Sequence, residues 1–408
     1  MTTFRPGFLW GASSAPHQIE GNNLASDWWT NEGRMPGMEP SGDAVDSYHR
    51  YREDMQLLAD AGLDSYRFGI EWARIEPRAG HVSRAELAHY RRMIDAALEL
   101  GLTPVITLNH FTIPQWFAEE GGWAGETAHE RWTSYIDTVV PILTGVEWII
   151  TFNEPNMLSM MINAQKMFAN ADAGDWVSPT VEDTAEEEEN TGRAAKLPDP
   201  DPDIGRRLAE LHHAVRDTLR ERTGAKVGWS VACLALTAAP GGNEDALERV
   251  RYVWEDLYLE ASREDDFLGV QAYSSQAVDQ NGLVAHPPHP DNTLSGAAYR
   301  PDALGIAVRH AAEVAGVPIL VTENGIATAD DSRRIDYTEG ALAGLADAVA
   351  DGIDVRGYLH WSILDNYEWG HWGPTFGLIA VDRTTFVRTP KPSLAWLGRR
   401  AAAERDAS

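Results

Sequence analysis

The sequence predicts an α/β protein built as a single closed (β/α)8 barrel, a TIM barrel. Three observations carry this prediction. Eight apolar runs recur along the 408 residues, at 8–13, 63–70, 103–110, 147–153, 226–236, 267–273, 318–322 and 355–361. Several of them are continuous rather than alternating, as strands are when helices cover a parallel sheet. Amphipathic stretches such as 46–61, 84–100 and 204–223 fill the gaps, and alternation of strand and helix is the signature of a parallel α/β architecture. Eight such units without a GxGxxG phosphate loop favour a closed barrel over a doubly wound sheet.

Composition narrows the classes of function. The hydrophobic fraction of 43% supports a large core, and a chain of this length fits one barrel with insertions, so 1–408 reads as one catalytic unit. No run of about 18 uncharged apolar residues suggests a membrane span. Met1 to Phe8 carries no basic segment followed by an apolar one, so a secretory signal is not expected. The lone cysteine, Cys233, cannot form an internal disulfide and fits a reducing cytoplasm, which is the expected location. Its own reading is an inert core residue. The formal net charge of −28, from 62 acidic and 34 basic residues, argues against a nucleic-acid partner, which needs a basic face. The same charge disfavours a strongly anionic substrate. The 15 tryptophans mostly read as packing, with some available as apolar platforms for sugar rings.

One segment departs from the pattern. Residues 170–202 are rich in acid, proline and polar side chains, including Glu186 to Glu189. They read as a solvated insertion, because like charges repel and little is there to bury. Its place after the fourth strand also allows a second reading, a lid on the catalytic face.

Polar residues gather where strands are expected to end. The fourth strand runs into Thr151-Phe152-Asn153-Glu154-Pro155 and the seventh into Thr322-Glu323-Asn324-Gly325. In a barrel these ends share one face, where chemistry is done. Two glutamates there could flank a glycosidic bond, one protonating the leaving oxygen and the other capturing the oxocarbenium-like carbon. Strands four and seven are expected on opposite sides of the mouth, with the carboxyls about 5 Å apart, the spacing of retaining enzymes. Glu20, Glu71 and Asp365 also fall near predicted strand ends, so spacing alone does not choose the pair.

The local motifs do choose it. Thr151-Phe152-Asn153-Glu154-Pro155 and Ile319-Leu320-Val321-Thr322-Glu323-Asn324-Gly325 resemble the two signature segments of glycoside hydrolase family 1, the β-glucosidase family. The opening from Phe8 to Gly21 resembles that family's N-terminal signature, and Asp365-Asn366-Tyr367-Glu368-Trp369 its sugar-binding segment. The resemblance runs in order from Phe8 to about Trp396.

The resemblance implies a retaining β-glycosidase without metal or other cofactor, with Glu154 as acid/base and Glu323 as nucleophile. It implies that Asn153 holds the sugar 2-hydroxyl, and that Gln18, His110, Glu368 and Trp369 bind the other hydroxyls. It also implies that Trp361 stacks beneath the sugar, that Phe376 keeps its family position, and that Arg67 and Tyr273 contact Glu323. Such contacts keep Glu323 ionised, whereas Glu154 needs a raised pKa to donate its proton. His110, Trp361 and Tyr273 each also admit a purely structural reading, and His17 reads as support. Two departures from the family stand out. Gln271 occupies a position where Asn is usual, so its amide contact in the active-site network or near the aglycone is expected to differ. The basic residue that often precedes Phe376 is missing.

The expected substrate is a small β-linked glycoside or oligosaccharide cleaved from its end, most of all a β-glucoside, with β-galactosides or β-fucosides tolerated. Three rivals are a 6-phospho-β-glycosidase, a non-catalytic sugar-binding barrel, and a transglycosylase using the same residues. Glu368 disfavours the first, since a carboxylate repels phosphate, and the presence of both candidate glutamates disfavours the second. The sequence is compatible with a monomer or a homo-oligomer.

Overall fold

A computed structural model describes residues 4–32, 37–169, 198–242 and 244–407. Eight parallel strands close into a ring. They are Leu9–Ser13, Ser65–Gly69, Thr103–Asn109, Trp148–Asn153, Lys226–Ala232, Leu268–Gln271, Ile319–Asn324 and Val355–Trp361. Each pairs with its neighbours in chain order, and the first closes on the eighth from Leu9 opposite Gly357 to Ser13 opposite Trp361. All eight coincide with the predicted runs to within a few residues. The largest difference is at the fifth, which stops at Ala232 instead of running on to residue 236. The apolar chain there leaves the barrel, with Ala235 at φ 46°, and Leu236 packs with Met160, Leu247, Val250, Trp254 and Val278 in a satellite cluster.

The buried strand residues divide between two compartments as the pleat requires. Ile106 and Leu108 of the third strand, and Ile149 of the fourth, join the main core beneath the surrounding helices. Val105, Trp148, Ile150, Leu320 and Leu359, with Phe267, form a separate apolar cluster that fills the barrel interior. The helices Ser47–Asp60, Arg84–Glu99 and Pro202–Thr223 match the predicted amphipathic stretches. Ser83 and Asp201 cap two of them by accepting from the backbone N–H of Glu86 and Asp203.

Most of the predicted acidic insertion, residues 170–197, lies outside the described residues, and so does its reading as a lid. Its final residues form a loop that is anchored rather than free, although Asp199 is exposed. Besides capping a helix, Asp201 accepts at its carbonyl from Ser159 Oγ at 2.7 Å, Asp199 accepts from Trp254 Nε1 at 2.9 Å, and Pro200 is buried. The charge pattern at 198–202 concealed a capping and anchoring role.

Two strands depart from regular pairing where the chemistry is expected. The fourth shifts register against the fifth between Ile150 and Asn153. The seventh shifts against the sixth between Val321 and Glu323. A bulge changes which face a side chain points to. Ile150 and Leu320 point into the barrel, so strict alternation would turn Asn153 and Glu323 outward toward the helices. The irregularities instead bring both side chains to the mouth.

Candidate active site

A cavity of about 400 Å³ opens at the carboxyl ends of the strands. Nine of the residues expected at the site line it: His110, Asn153, Glu154, Tyr273, Glu323, Trp361, Glu368, Trp369 and Phe376. Strands four and seven are three positions apart around the ring, one short of diametrically opposite, which corrects the expected placement. Gln18 and Arg67 are fully buried behind the lining rather than in it.

Glu323 is held by three donors. Arg67 Nη1 and Gln271 Nε2 donate to its Oε1 at 2.5 and 2.8 Å. The Tyr273 hydroxyl donates to Oε2 at 2.6 Å. Arg67 is itself fixed, donating from Nε to Thr107 Oγ1 at 2.9 Å and from Nη2 to Asn153 Oδ1 at 2.5 Å. This places one guanidinium between the two candidate catalytic strands. Because Asn153 Oδ1 faces Arg67 and Gln271, its amide N–H faces His110 Nε2 at 3.1 Å. Burial and the Arg67 charge push the His110 pKa well down, so the ring is neutral and accepts at Nε2.

The two glutamates differ in their surroundings. Burial lifts the Glu154 carboxyl well above the usual range, and the Glu323 charge lifts it further, against the opposing pull of Arg67. Burial also lifts Glu323, but Arg67, Tyr273 and Gln271 oppose the shift. The expectation of an ordinary ionised Glu323 therefore holds only relative to its partner. Of the pair, Glu323 ionises first and Glu154 keeps its proton, an ordering set by the three donors.

The glycone side is organised around Glu368. Trp361 Nε1 donates to its Oε1 and Gln18 Nε2 to its Oε2, both at 3.2 Å. Gln18 also donates to Asn366 Oδ1 and the Tyr367 carbonyl, so it anchors the loop that presents Glu368. Burial, with the Glu323 charge adding, pushes the Glu368 pKa up to about 8. Glu368 is therefore largely protonated at neutral pH, and repulsion of phosphate by its charge is weaker than expected. The lining supplies a separate argument, because it contains no lysine or arginine among the described residues.

Trp369 packs parallel to His17, with ring centroids 5.9 Å apart at an interplanar angle of 6°. His17 Nε2 contacts Glu32 Oε1 at 2.6 Å, the supporting role expected of it. Glu154, Phe111 and Trp369 have φ of 44°, 67° and 47°. Non-glycine residues in this region cost on the order of 1–3 kcal/mol each and concentrate at functional sites. The other carboxylates near strand ends are engaged elsewhere. Glu20 accepts from Arg74 Nε at 2.8 Å, Glu71 from Thr112 Oγ1 at 2.7 Å, and Asp365 from Lys391 Nζ at 2.7 Å.

Sequence reasoning missed part of the lining. Met157 and Met161 extend from the helix Pro155–Ala169, and Thr293, Ser295, Ala297, Ile326 and Ala327 come from loops. Met157 and Met161 lie three and seven residues after Glu154, a helical spacing that could have flagged them. The loop residues carry no local signal. Gln271 was noticed only as a departure, yet it touches both Glu323 and Asn153.

Comparison with known proteins bears on the family and the fold. The family model for glycosyl hydrolase family 1 matches residues 1–182 and 257–405. Thermostable beta-glucosidase B of Thermobispora bispora is 30% identical over 97% of this chain and 89% of its own length. A bifunctional beta-D-glucosidase/beta-D-fucosidase of Bifidobacterium breve is 28% identical over 97% of each chain. Among solved structures, beta-glucosidase 1317 superposes with a TM-score of 0.85 at 41% identity, covering 97% of this chain and 98% of that one.

Proposed function

The chain belongs to glycosyl hydrolase family 1, and from that premise we propose that it is a retaining β-glycosidase acting on terminal β-linked sugars. As a family member it is a glycoside hydrolase. The mechanism, substrate and residue roles below are our reading.

One observation carries the reading: Glu154 and Glu323 share a cavity, and the donors around them assign opposite protonation states. Glu154 protonates the glycosidic oxygen while Glu323 attacks the anomeric carbon, forming a covalent glycosyl-enzyme and releasing the aglycone. Glu323 then carries no charge, so the pKa of Glu154 falls. Glu154 takes a proton from water, which attacks the same carbon and frees Glu323. Asn153 presents its amide N–H to the sugar 2-hydroxyl, a contact that strengthens as charge develops on the ring. His110, Glu368 and Trp369 face the outer hydroxyls, with Gln18 fixing Glu368. Trp361 and Phe376 supply apolar surface.

β-Glucosides are the preferred substrates, with β-galactosides or β-fucosides tolerated; the names of the relatives support the glucoside and fucoside parts of this reading. A lining without basic residues among those described disfavours 6-phosphoglycosides. Transfer to an acceptor other than water uses the same residues. The whole of 1–408 acts as one catalytic unit carrying the acidic insertion. The lone Cys233 suits the cytoplasm, and no helix among the described residues is long and apolar enough to cross a membrane.

The decisive measurement is proton NMR of early product from an activated β-glucoside. β-Glucose should appear before mutarotation produces the α-anomer, and a 2-deoxy-2-fluoro glucoside should label Glu323 covalently. α-Glucose as the first product would overturn the retaining assignment.

A further inference from the structure

Gln271 ends the sixth strand, directly opposite Glu323 in the pairing with the seventh. Its side chain is 1% exposed. Its Nε2 donates to Glu323 Oε1 at 2.8 Å and to Asn153 Oδ1 at 2.8 Å. The amide has two N–H bonds, and both are used. Its orientation is fixed, since the two partner atoms are acceptors: one is a carboxylate oxygen, and the other is the amide oxygen that Arg67 also contacts. Gln271 Oε1 has no partner among the described residues, so there the amide is held through its nitrogen.

The two partners are at different distances around the ring. Glu323 stands on the adjacent strand, but Asn153 stands two strands away across the fifth. Two strand spacings are about 10 Å along the sheet, so the second contact needs a long side chain. Asparagine, one methylene shorter, has the reach for the adjacent strand.

We propose that Gln271 is a positioning residue that couples the nucleophile to the reader of the 2-hydroxyl, through a single amide only glutamine is long enough to supply. Its bond to Oε1 stabilises the ionised nucleophile. Its bond to Asn153 Oδ1 turns the other end of that amide toward the sugar. The 2-hydroxyl contact and the charge on Glu323 therefore share, besides Arg67, which reaches the same two atoms, a neutral side chain that lies outside the cavity lining. This inference rests on the roles assigned above to Glu323 and Asn153. Covalent labelling of Glu323 in the unaltered enzyme tests the nucleophile's role separately, and the 2-hydroxyl preference of Asn153→Ala tests that of Asn153.

The experiment compares the unaltered enzyme with Gln271→Met, which keeps the length but removes both donors, and Gln271→Asn, which keeps a shorter amide. Each is assayed on nitrophenyl β-glucoside and its 2-deoxy counterpart across pH, and folding is checked by calorimetry. In Gln271→Met, the preference for the 2-hydroxylated substrate should fall at least about fivefold, the scale of one lost hydrogen bond. The acid limb of kcat/KM should move up by about half a unit or more, since a donor to the carboxylate is lost. In Gln271→Asn, the acid limb should stay near its original position while the 2-hydroxyl preference falls. A role limited to packing would lower the melting temperature without moving either readout. The proposal is overturned if either readout is unmoved in Gln271→Met, or if Gln271→Asn keeps the full 2-hydroxyl preference. Should Gln271→Met not fold, the Gln271→Asn outcome decides alone.

Discussion

Arg67 and Glu323 meet at 2.5 Å in an ion pair whose side chains are 0% and 5% exposed. The pair joins the second strand to the seventh across the barrel interior, and the same guanidinium reaches Asn153 on the fourth. A charge so deeply buried is tolerable only while its partner is present, because removing one member strands the other in a medium that solvates it poorly.

Arg67→Met should therefore cost about 3–5 kcal/mol of stability near pH 7.5. Without Arg67 the pKa of Glu323 rises further, so protonation relieves the stranded charge and the loss should shrink at pH 5. The double variant Arg67→Met, Glu323→Gln should lose less than the sum of the single changes. Denaturant unfolding at the two pH values checks this. An equal loss at both would mean that Arg67 acts through packing alone.

The ordering of the two glutamates makes a kinetic prediction. Activity requires Glu323 ionised and Glu154 protonated, so kcat/KM should rise with pH as Glu323 loses its proton and fall as Glu154 loses its own. Burial raises both groups, and Glu154 more, so the bell should lie above the ordinary carboxylate range. The two limbs are properties of the coupled pair. In Glu154→Gln, assayed on a dinitrophenyl glycoside that needs little acid help, the basic limb should vanish and the acid limb remain. Persistence of the basic limb would assign it to another group.

Much of this arrangement was legible in the sequence, for identifiable reasons. The barrel strands are apolar because both their faces are covered, so their runs stood out at nearly the observed bounds. Glu154 and Glu323 were distinguished from Glu20, Glu71 and Asp365 only by the residues flanking them. The structure adds that each of those three has a structural partner. What escaped was non-local. The register shifts that turn Asn153 and Glu323 toward the mouth leave no mark on residue type. Gln18 was assigned to the sugar from its motif, but the hold of its amide N–H on Glu368, a partner 350 residues away, was not legible there. Thr293, Ser295 and Ala297 reach the cavity through a loop whose path depends on the rest of the fold.

Glu368 yields a prediction about stability and pH. Its pKa of about 8 in the folded protein exceeds the ordinary value of 4.5. Between these values the folded state binds more protons than the unfolded state, so this group's contribution to stability falls as pH rises. Glu368→Gln keeps the shape but cannot ionise. Because Glu368 is partly exposed, the expected benefit relative to the unaltered protein is on the order of 1–3 kcal/mol at pH 8.5, and smaller at pH 5. Calorimetry at both pH values tests it, and a larger benefit at pH 5 would reverse the assigned direction.

The acid/base role of Glu154 can be separated from its structural surroundings by varying the leaving group. In Glu154→Ala the departing oxygen must leave without a proton. A dinitrophenolate tolerates this, while an alkoxide or a sugar hydroxyl does not. The loss in kcat/KM should therefore be small for dinitrophenyl β-glucoside and about 100- to 10,000-fold for an alkyl β-glucoside. The second step is affected as well, because the glycosyl-enzyme on Glu323 now lacks the base that activates water. Azide needs no base and fits the space left by the carboxyl. It should accelerate turnover of the activated substrate and give a β-glycosyl azide, since it attacks from the face the aglycone left. In Glu323→Ala the space lies on the opposite face, so the same ion should give the α-azide. The two products, distinguished by NMR, place the carboxylates on opposite faces of the sugar. Loss of activity in Glu154→Ala that is equal for both leaving groups, with no azide product, would remove Glu154 from the chemistry.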